Sequence, residues 1–349
     1  EEPIHAPAAA PHWERSRPQT NVLVCRPVTP VAAPGFDARQ LPVLRPLLRE
    51  LRESAELQDV VAWLYTPMAV PLARLLAPRA VVYDVMDELS LFLGAPPELV
   101  ERERELLGWA DLVFTGGPSL HRAKRDRHPS VHCFPSSVDA AHFARARADA
   151  PDRPPEPADQ APLPRPRLGF FGVLDERLDL AVLDTLARRR PDWQLVMVGP
   201  VVKIDPATLP RHPNIHYLGQ RDYRALPGYL AGWDVCLLPF ARNDATRYIS
   251  PTKTLEYMAA ERPIVSTGIR DVAEPYGGIV HLADAPADFV AACGRALAEV
   301  GTEAHRRRVA AMRDVLARTS WDDTAAAMER LVAGVLQRRT VRRPHPVEA

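Results

Sequence analysis

The chain has 349 residues, 46% of them hydrophobic and 25% charged, which is the make-up of an ordinary globular protein long enough for two domains. Its 44 basic residues balance 44 acidic ones, so there is no basic footprint for nucleic acid and no acidic tail. No apolar run approaches membrane-spanning length and the N-terminus lacks a signal-peptide pattern. Cys25, Cys133, Cys236 and Cys293 lie too far apart for a zinc site or disulfide framework, so the sequence reads as cytoplasmic.

Glu1-Glu2-Pro3-Ile4 reads as the tail of a strand running into a loop, and residues 22–25 are a short strand candidate. Residues 37–56 carry a helical pattern, followed by a strand at 60–64 and a helix opened by Pro67. The apolar run 80–83 ends in Asp84, with Asp87 and Glu88 in the loop beyond. An amphipathic helix over 96–109, a buried strand at 111–115, a Gly-Gly-Pro turn into another helix and a strand at 131–134 complete the series. Short apolar runs alternating with helical periods predict βα units and a parallel sheet, an N-terminal domain over residues 1–150.

Residues 151–166 are proline-rich, charged and aperiodic, and read as a linker or exposed loop. A second alternating series then fills residues 167–320, with strands at 168–172, 194–198, 214–219, 234–240 and 264–267. A helix over 321–338 and a loose basic tail over 339–349 follow. Two doubly wound units predict a cleft between them, lined by loops that follow strands: 84–88, 172–177, 199–200, 219–222 and 240–250. None of these carries GxGxxG or GxxxxGK[ST], so ordinary dinucleotide and P-loop sites are poorly supported.

The most informative stretch is Ser250-Pro251-Thr252-Lys253-Thr254-Leu255-Glu256-Tyr257-Met258-Ala259-Ala260. Ser250 suits an N-cap and Pro251 the first helical position. Leu255, Met258 and Ala259 share a core-facing side, while Lys253 and Glu256 are neighbours on another. A helix start with an added lysine favours an anion such as phosphate, and the glutamate could accept hydrogen bonds from sugar hydroxyls. The bland alternative is a capped helix with a solvated Lys–Glu pair. Lysine occurs only at Lys124, Lys203 and Lys253, all other bases being arginine, so a lysine at this helix start looks selected for its compact charge.

Several motifs, taken in order and spacing, resemble the donor half of GT-B glycosyltransferases. They are Phe170-Phe171-Gly172, Val196-Met197-Val198-Gly199-Pro200, Asn214-Ile215-His216-Tyr217-Leu218-Gly219, residues 234–240 and residues 251–267. Tyr83-Asp84-Val85-Met86-Asp87-Glu88, Ala110-Asp111-Leu112-Val113-Phe114-Thr115 and residues 134–143 extend the likeness into the N-terminal half. The whole is similar to the family-4-like group typified by teichuronic-acid glycosyltransferases of bacterial envelopes. The resemblance implies a nucleotide-diphospho-sugar donor, no cofactor or obligatory metal, and transfer with retention to a glycan or lipid-linked acceptor of an envelope or exopolysaccharide.

On the matching positions, the resemblance implies that Glu256 binds ribose hydroxyls and that Thr252, Lys253 and Thr254, behind Ser250, hold the diphosphate. It puts the backbone of Gly219-Gln220-Arg221 along the base and Gly172 against the leaving phosphate, with Arg177 as a charge partner. Gly199 belongs to the matching strand-end turn, and Asp87 and Glu88 would face the cleft from the acceptor side. Asp87, Lys253 and Arg177 are the catalytic candidates. Competing structural readings exist for each: Asp175-Glu176-Arg177 could neutralise itself as a turn, and Asp87 could cap a helix. His121, His128 and His132 read as surface histidines, and Arg188-Arg189-Arg190 and Arg306-Arg307-Arg308 as solvated helix ends, with peripheral membrane contact at the inner face as the minor reading.

The sequence departs from the group's pattern in three places. The first acidic residue of the paired-glutamate motif falls on Tyr248, and the usual helix-exit glycine is Glu261. The strand, loop and helix that open the N-terminal domain are also absent ahead of Glu1, which implies either a start downstream of the true one or an incomplete acceptor site. A nucleotide-sugar epimerase on the same fold and a degenerate donor-binding module are the alternatives to a transferase.

Overall fold

The computed structural model describes residues 2–53, 57 and 59–341. Three strands, β1 (Ile4–His5), β2 (His12–Gln19) and β3 (Val22–Thr29), form a small sheet in the order β1-β3-β2, with β2 and β3 an antiparallel hairpin. Helix α1 (Leu41–Glu53) seats Leu44 and Leu47 beside Trp13, whose Nε1 donates to the Leu47 carbonyl at 3.0 Å. The hairpin is a strand more than the sequence reading anticipates, because residues 12–19 are charged and exposed and lack the alternation of a half-buried strand.

A parallel sheet follows, in the order β4 (Val61–Leu64), β5 (Ala80–Val85), β6 (Leu112–Thr115), β7 (Val131–Cys133). Ala62, Leu64, Val81, Tyr83, Val85 and Val113 point to one face, under α2 (Val70–Ala73), α3 (Leu99–Trp109) and α4 (Pro118–Lys124). The short α5 (Ala140–Ala144) then leads to the linker. The linker, residues 151–166, has no regular element and is exposed along most of its length, with one buried anchor. Gln160 is fully buried, donating to the Tyr229 carbonyl at 3.0 Å and accepting from Trp233 Nε1 at 2.8 Å.

The second half builds a six-stranded parallel sheet from β8 (Arg167–Phe171), β9 (Gln194–Val198), β10 (Ile215–Gly219), β11 (Val235–Leu238), β12 (Ile264–Ser266) and β13 (His281–Leu282). Its order is β10-β9-β8-β11-β12-β13, so the chain winds outward twice from the β8–β11 pair. Helices α6 (Leu180–Arg189), α7 (Leu226–Ala231), α8 (Lys253–Ala259), α9 (Arg270–Tyr276), α10 (Pro286–Glu299) and α11 (Glu303–Leu316) complete the unit. Strands buried on both faces explain the unbroken apolar runs of the sequence.

The last helix, α12 (Trp321–Val341), crosses back to the N-terminal sheet. Met328, Leu331, Val332, Val335 and Leu336, one stripe at helical spacing, cover its second face over Ala80, Val82, Leu112 and Phe114. The helix therefore continues past residue 338 into what the sequence reads as tail, and residues 342–349 lie outside the described residues.

Further ties join the two halves. The Asp271 carboxylate on α9 is buried and accepts the Ser119 N–H at 3.1 Å, capping α4 of the other half, while Arg122 reaches Glu274 at 3.0 Å. Tyr248 packs on the core of the N-terminal sheet, which explains a tyrosine where the family pattern has an acid. Glu261 does take the left-handed conformation, at φ 56°. Its carboxylate meets Arg147 at 3.2 Å and Arg313 at 2.7 Å, contacts a glycine could not make and that offset the backbone strain.

Candidate active site

In a doubly wound sheet the crevice opens where strand order reverses, beyond the carboxyl ends of the strands. Here that point is the β8–β11 pair, and a cavity of about 190 Å³ lies there. The second sheet contributes Phe170 from the end of β8, Val173 and Arg177 after it, and Phe240 and Ile249 to Lys253 after β11. The first sheet contributes Met86 and Asp87 after β5, Gly116 after β6 and Ser136 after β7. The carboxyl ends of both parallel sheets thus face one cavity.

Two glycines close-pack beneath Lys253 on its wall. Gly172 and Gly199, at φ 142° and 150°, follow β8 and β9. A Cβ on Gly172 would stand 2.2 Å from the Lys253 Cε, and one on Gly199 would stand 1.8 Å from the Gly172 carbonyl oxygen. Neither turn can withdraw easily, because the Gly172 N–H donates to the Val198 carbonyl at 2.8 Å and the Gly199 N–H to the Gly219 carbonyl at 2.9 Å. Gly199→Ala is therefore expected to destabilise the fold by about 3 kcal/mol or more in denaturant titration. A loss under about 1 kcal/mol would contradict this packing.

Lys253 lies over Gly172, with its Nζ 5.8 Å from the Phe170 ring centre, and burial holds its pKa below the usual lysine range. Arg177 forks onto Asp175, with Nε at 3.0 Å and Nη2 at 2.7 Å from the carboxylate. Asp175 is itself buried, so this is an anchored guanidinium and not a solvated turn. Burial opposes the Arg177 charge, but the Asp175 hydrogen bonds and charge outweigh it and keep the group protonated. Burial raises the pKa of Asp87, and the charges of Arg177, Lys203 and Lys253 pull it back. Asp175 is paired to Arg177, so Lys203 and Lys253 are the cations left to favour an incoming anion beside Asp87.

Glu256 sits one turn inside α8, half-buried, and its carboxylate makes no hydrogen bond or ion pair among the described residues. Burial pushes its carboxyl up to about 7, with the Lys253 charge acting the other way. A half-buried, unpaired carboxylate is costly and invites hydroxyl donors.

The remaining expectations divide. Ser250 lines the cavity and packs on Gly117 but is not the N-cap: α8 begins at Lys253 with Thr252 as cap residue, after a tight turn in which the Thr254 N–H donates to the Pro251 carbonyl at 3.0 Å. Ser250 therefore lies outside the helix, two residues ahead of its cap. Thr252 is on the cavity wall, whereas Thr254 is buried with its hydroxyl unpaired within the chain. The Arg221 side chain is spent on Asp159 at 2.7 Å and the Tyr229 hydroxyl at 2.8 Å, which leaves only backbone to face a ligand. Glu88 turns away from the cleft and meets the buried Lys124 at 2.5 Å. His121, His128 and His132 are half-buried at the surface. Sequence reasoning missed Lys203, Phe92 and Ser136; the rarity of lysine was the one available signal, and it was applied to Lys253 alone.

Residues 165–299, the whole β8-to-α10 unit that carries these glycines and Lys253, match the family model of group 1 glycosyl transferases. The chain carries a group 1 glycosyl transferase domain. A putative teichuronic acid biosynthesis glycosyltransferase, TuaH of Bacillus subtilis strain 168, is 27% identical over 296 residues, covering 79% of this chain and 72% of that protein. Among solved structures, a UDP-forming α,α-trehalose-phosphate synthase from Burkholderia xenovorans superposes with a TM-score of 0.68 at 14% identity, over 94% of this chain and 90% of that one. Anabaena HepE, in complex with UDP and glucose, gives 0.56 at 16% identity, over 84% and 85% of the two chains. The fold is GT-B, and this chain is a glycosyltransferase. Among the described residues no helix is long and apolar enough to cross a membrane and no group of three His, Cys, Asp or Glu is placed to hold a metal.

Proposed function

We propose that this glycosyltransferase uses a nucleotide-diphospho-sugar, transfers the sugar with retention at the anomeric carbon, and needs no metal. The acceptor is a glycan or lipid-linked precursor of an envelope or exopolysaccharide. The observation that carries the reading is the placement of Lys253, Arg177 and two close-packed glycines at the switch point, with unpaired Glu256 beside them. Leaving-group departure builds negative charge on the diphosphate, and fixed cations at its position stabilise the transition state. Gly172 lets backbone approach the leaving phosphate, Thr252 and Ser250 offer hydroxyls, and Glu256 takes the ribose diol. Gly219 and the Arg221 backbone line the base, and Asp87 meets the acceptor side. TuaH's name supports the envelope acceptor, and the UDP and glucose of HepE support the donor class.

An epimerase would need opposed acids or histidines across the cleft, and among the described residues Asp87 is the one carboxylate on the cavity wall. Membrane contact through the arginine runs finds little support: Arg188, Arg190, Arg306, Arg307 and Arg308 each meet an acid of the chain.

Calorimetric titration with nucleoside diphosphates and nucleotide-sugars in EDTA tests the donor site, and binding of one nucleotide class is expected. Binding of none would overturn the reading. Turnover abolished by chelator and restored by metal would overturn the metal-free mechanism, and an inverted product anomer by NMR would overturn retention.

A further inference from the structure

We infer that Phe92 is a positioning residue for the transfer reaction: its ring, carried across the cleft from the N-terminal half, fixes Arg177 and Lys203 for the anionic donor. This inference rests on the reading of the switch-point cavity as a diphosphate site. The Arg177 Cζ lies 5.6 Å and the Lys203 Nζ 4.9 Å from the Phe92 ring centre. Both distances are within the range where a ring face attracts a cation. Arg177 is on the cavity wall and already anchored from behind by Asp175.

Lys203 has no such anchor. Among the described residues its ammonium meets no carboxylate or carbonyl, and it rests over the Phe92 ring. Its backbone is left-handed, at φ 64°, a conformation that a residue bearing a side chain adopts reluctantly. A long exposed lysine of this kind samples many rotamers unless something selects one. The ring makes that selection, and the Lys203 charge is near enough to Asp87 to bear on its ionisation.

The loop that carries Phe92 also carries Met86 and Asp87 into the cavity. It is tied to the second half at further points. The Leu93 N–H donates to the Glu176 carboxylate at 3.3 Å, and the turn Leu89–Leu91 rests on the turn Asp244–Thr246. One loop therefore delivers the acceptor-side carboxylate and the ring that orders two donor-side cations. Closure of the two halves and assembly of the positive charge become one event.

The test is calorimetric titration of UDP, ADP, GDP and dTDP into the full chain and into Phe92→Leu, Phe92→Tyr, Lys203→Gln, Phe92→Leu/Lys203→Gln and Lys253→Ala. Leucine keeps apolar bulk without the ring face, whereas tyrosine keeps the face. Phe92→Leu and Lys203→Gln are each expected to weaken the best nucleotide about tenfold, and Phe92→Tyr less than about twofold. The double variant is expected to lose little more than either single, because the ring acts in part through Lys203.

An unchanged affinity in Phe92→Leu while Lys253→Ala binds weakly would overturn this inference and leave the site standing. Single losses that multiply in the double variant would overturn it too. An unchanged Lys253→Ala would overturn the diphosphate site itself. Should Phe92→Leu fail to fold in thermal melts, Lys203→Gln decides alone, with parent affinity counting against the inference.

Discussion

Lys253→Ala is expected to lower kcat by about 100- to 1,000-fold, the cost of removing one fixed donor from developing negative charge, about 3–4 kcal/mol. The donor KM should change less, because the interaction strengthens as the sugar–phosphate bond breaks and charge collects on the diphosphate. Arginine is not expected to rescue. The lysine stem passes over Gly172 with no room even for a Cβ beneath it, and a planar guanidinium cannot follow that path. The free enzyme bears a cost for this group, since burial lowers its pKa by disfavouring the ammonium. A diphosphate beside it reverses that preference, so donor binding should take up a proton at pH values near the free lysine's pKa. Single-turnover rates on parent and variant check the main effect. A loss below about fivefold in the chemical step would mean that the leaving group is stabilised elsewhere.

The stretch around α8 was legible because chemistry and periodicity coincide there. Lys253 and Glu256 fall on a face that Leu255, Met258 and Ala259 leave free, and strand-to-glycine turns mark Gly172, Gly199 and Gly219. Order along the chain also exposed the doubly wound donor sheet and hence its switch point. The serine-proline pair satisfies the N-cap pattern, but it opens a tight turn instead, and α8 starts two residues later, at Lys253.

Contacts between the two halves were not legible. Asp271 capping Ser119 spans 152 positions, and nothing local in Arg270-Asp271-Val272 marks it as anything but an acid in a first helical turn. Phe92 reads as one apolar residue in a loop, and its two cations come from 85 and 111 positions away. The hairpin residues 12–19 defeat pattern reading for a different reason: a strand exposed along nearly its whole length leaves no period-two signal. Tyr248 and Glu261 show the intermediate case. The sequence marks both as departures from the family pattern, but only their partners show what replaced the missing features: a core contact for one and two arginines for the other.

Glu256→Gln separates function from stability more sharply than any other single change. A ribose diol donates two hydrogen bonds to the carboxylate, and bonds to a charged group are worth about 1.5–3 kcal/mol each, so affinity for the nucleotide should fall about 100-fold at pH 8. Ligand hydroxyls favour the ionised form, so the carboxyl, at about 7 in the free protein, should titrate lower in the complex. Parent affinity therefore rises with pH up to about 7 and then levels, while the glutamine variant stays flat, and the gap between them narrows toward pH 5. Stability moves in the opposite sense. The pKa rises from 4.5 to about 7 on folding, so the parent is free of any penalty below 4.5 and loses stability as pH climbs through 7. At 1.36 kcal/mol per pH unit that loss is about 3 kcal/mol. Glutamine does not titrate, so the variant should be the more stable protein at pH 8 and about equal to the parent at pH 4. Denaturant titrations at the two pH values measure this directly. A variant that binds nucleotide as well as the parent at pH 8 would remove Glu256 from the donor site. A variant less stable than the parent at pH 8 would show instead that the carboxylate has a structural partner within the fold. Loss of affinity with gain of stability is the signature of a side chain kept unpaired for a ligand.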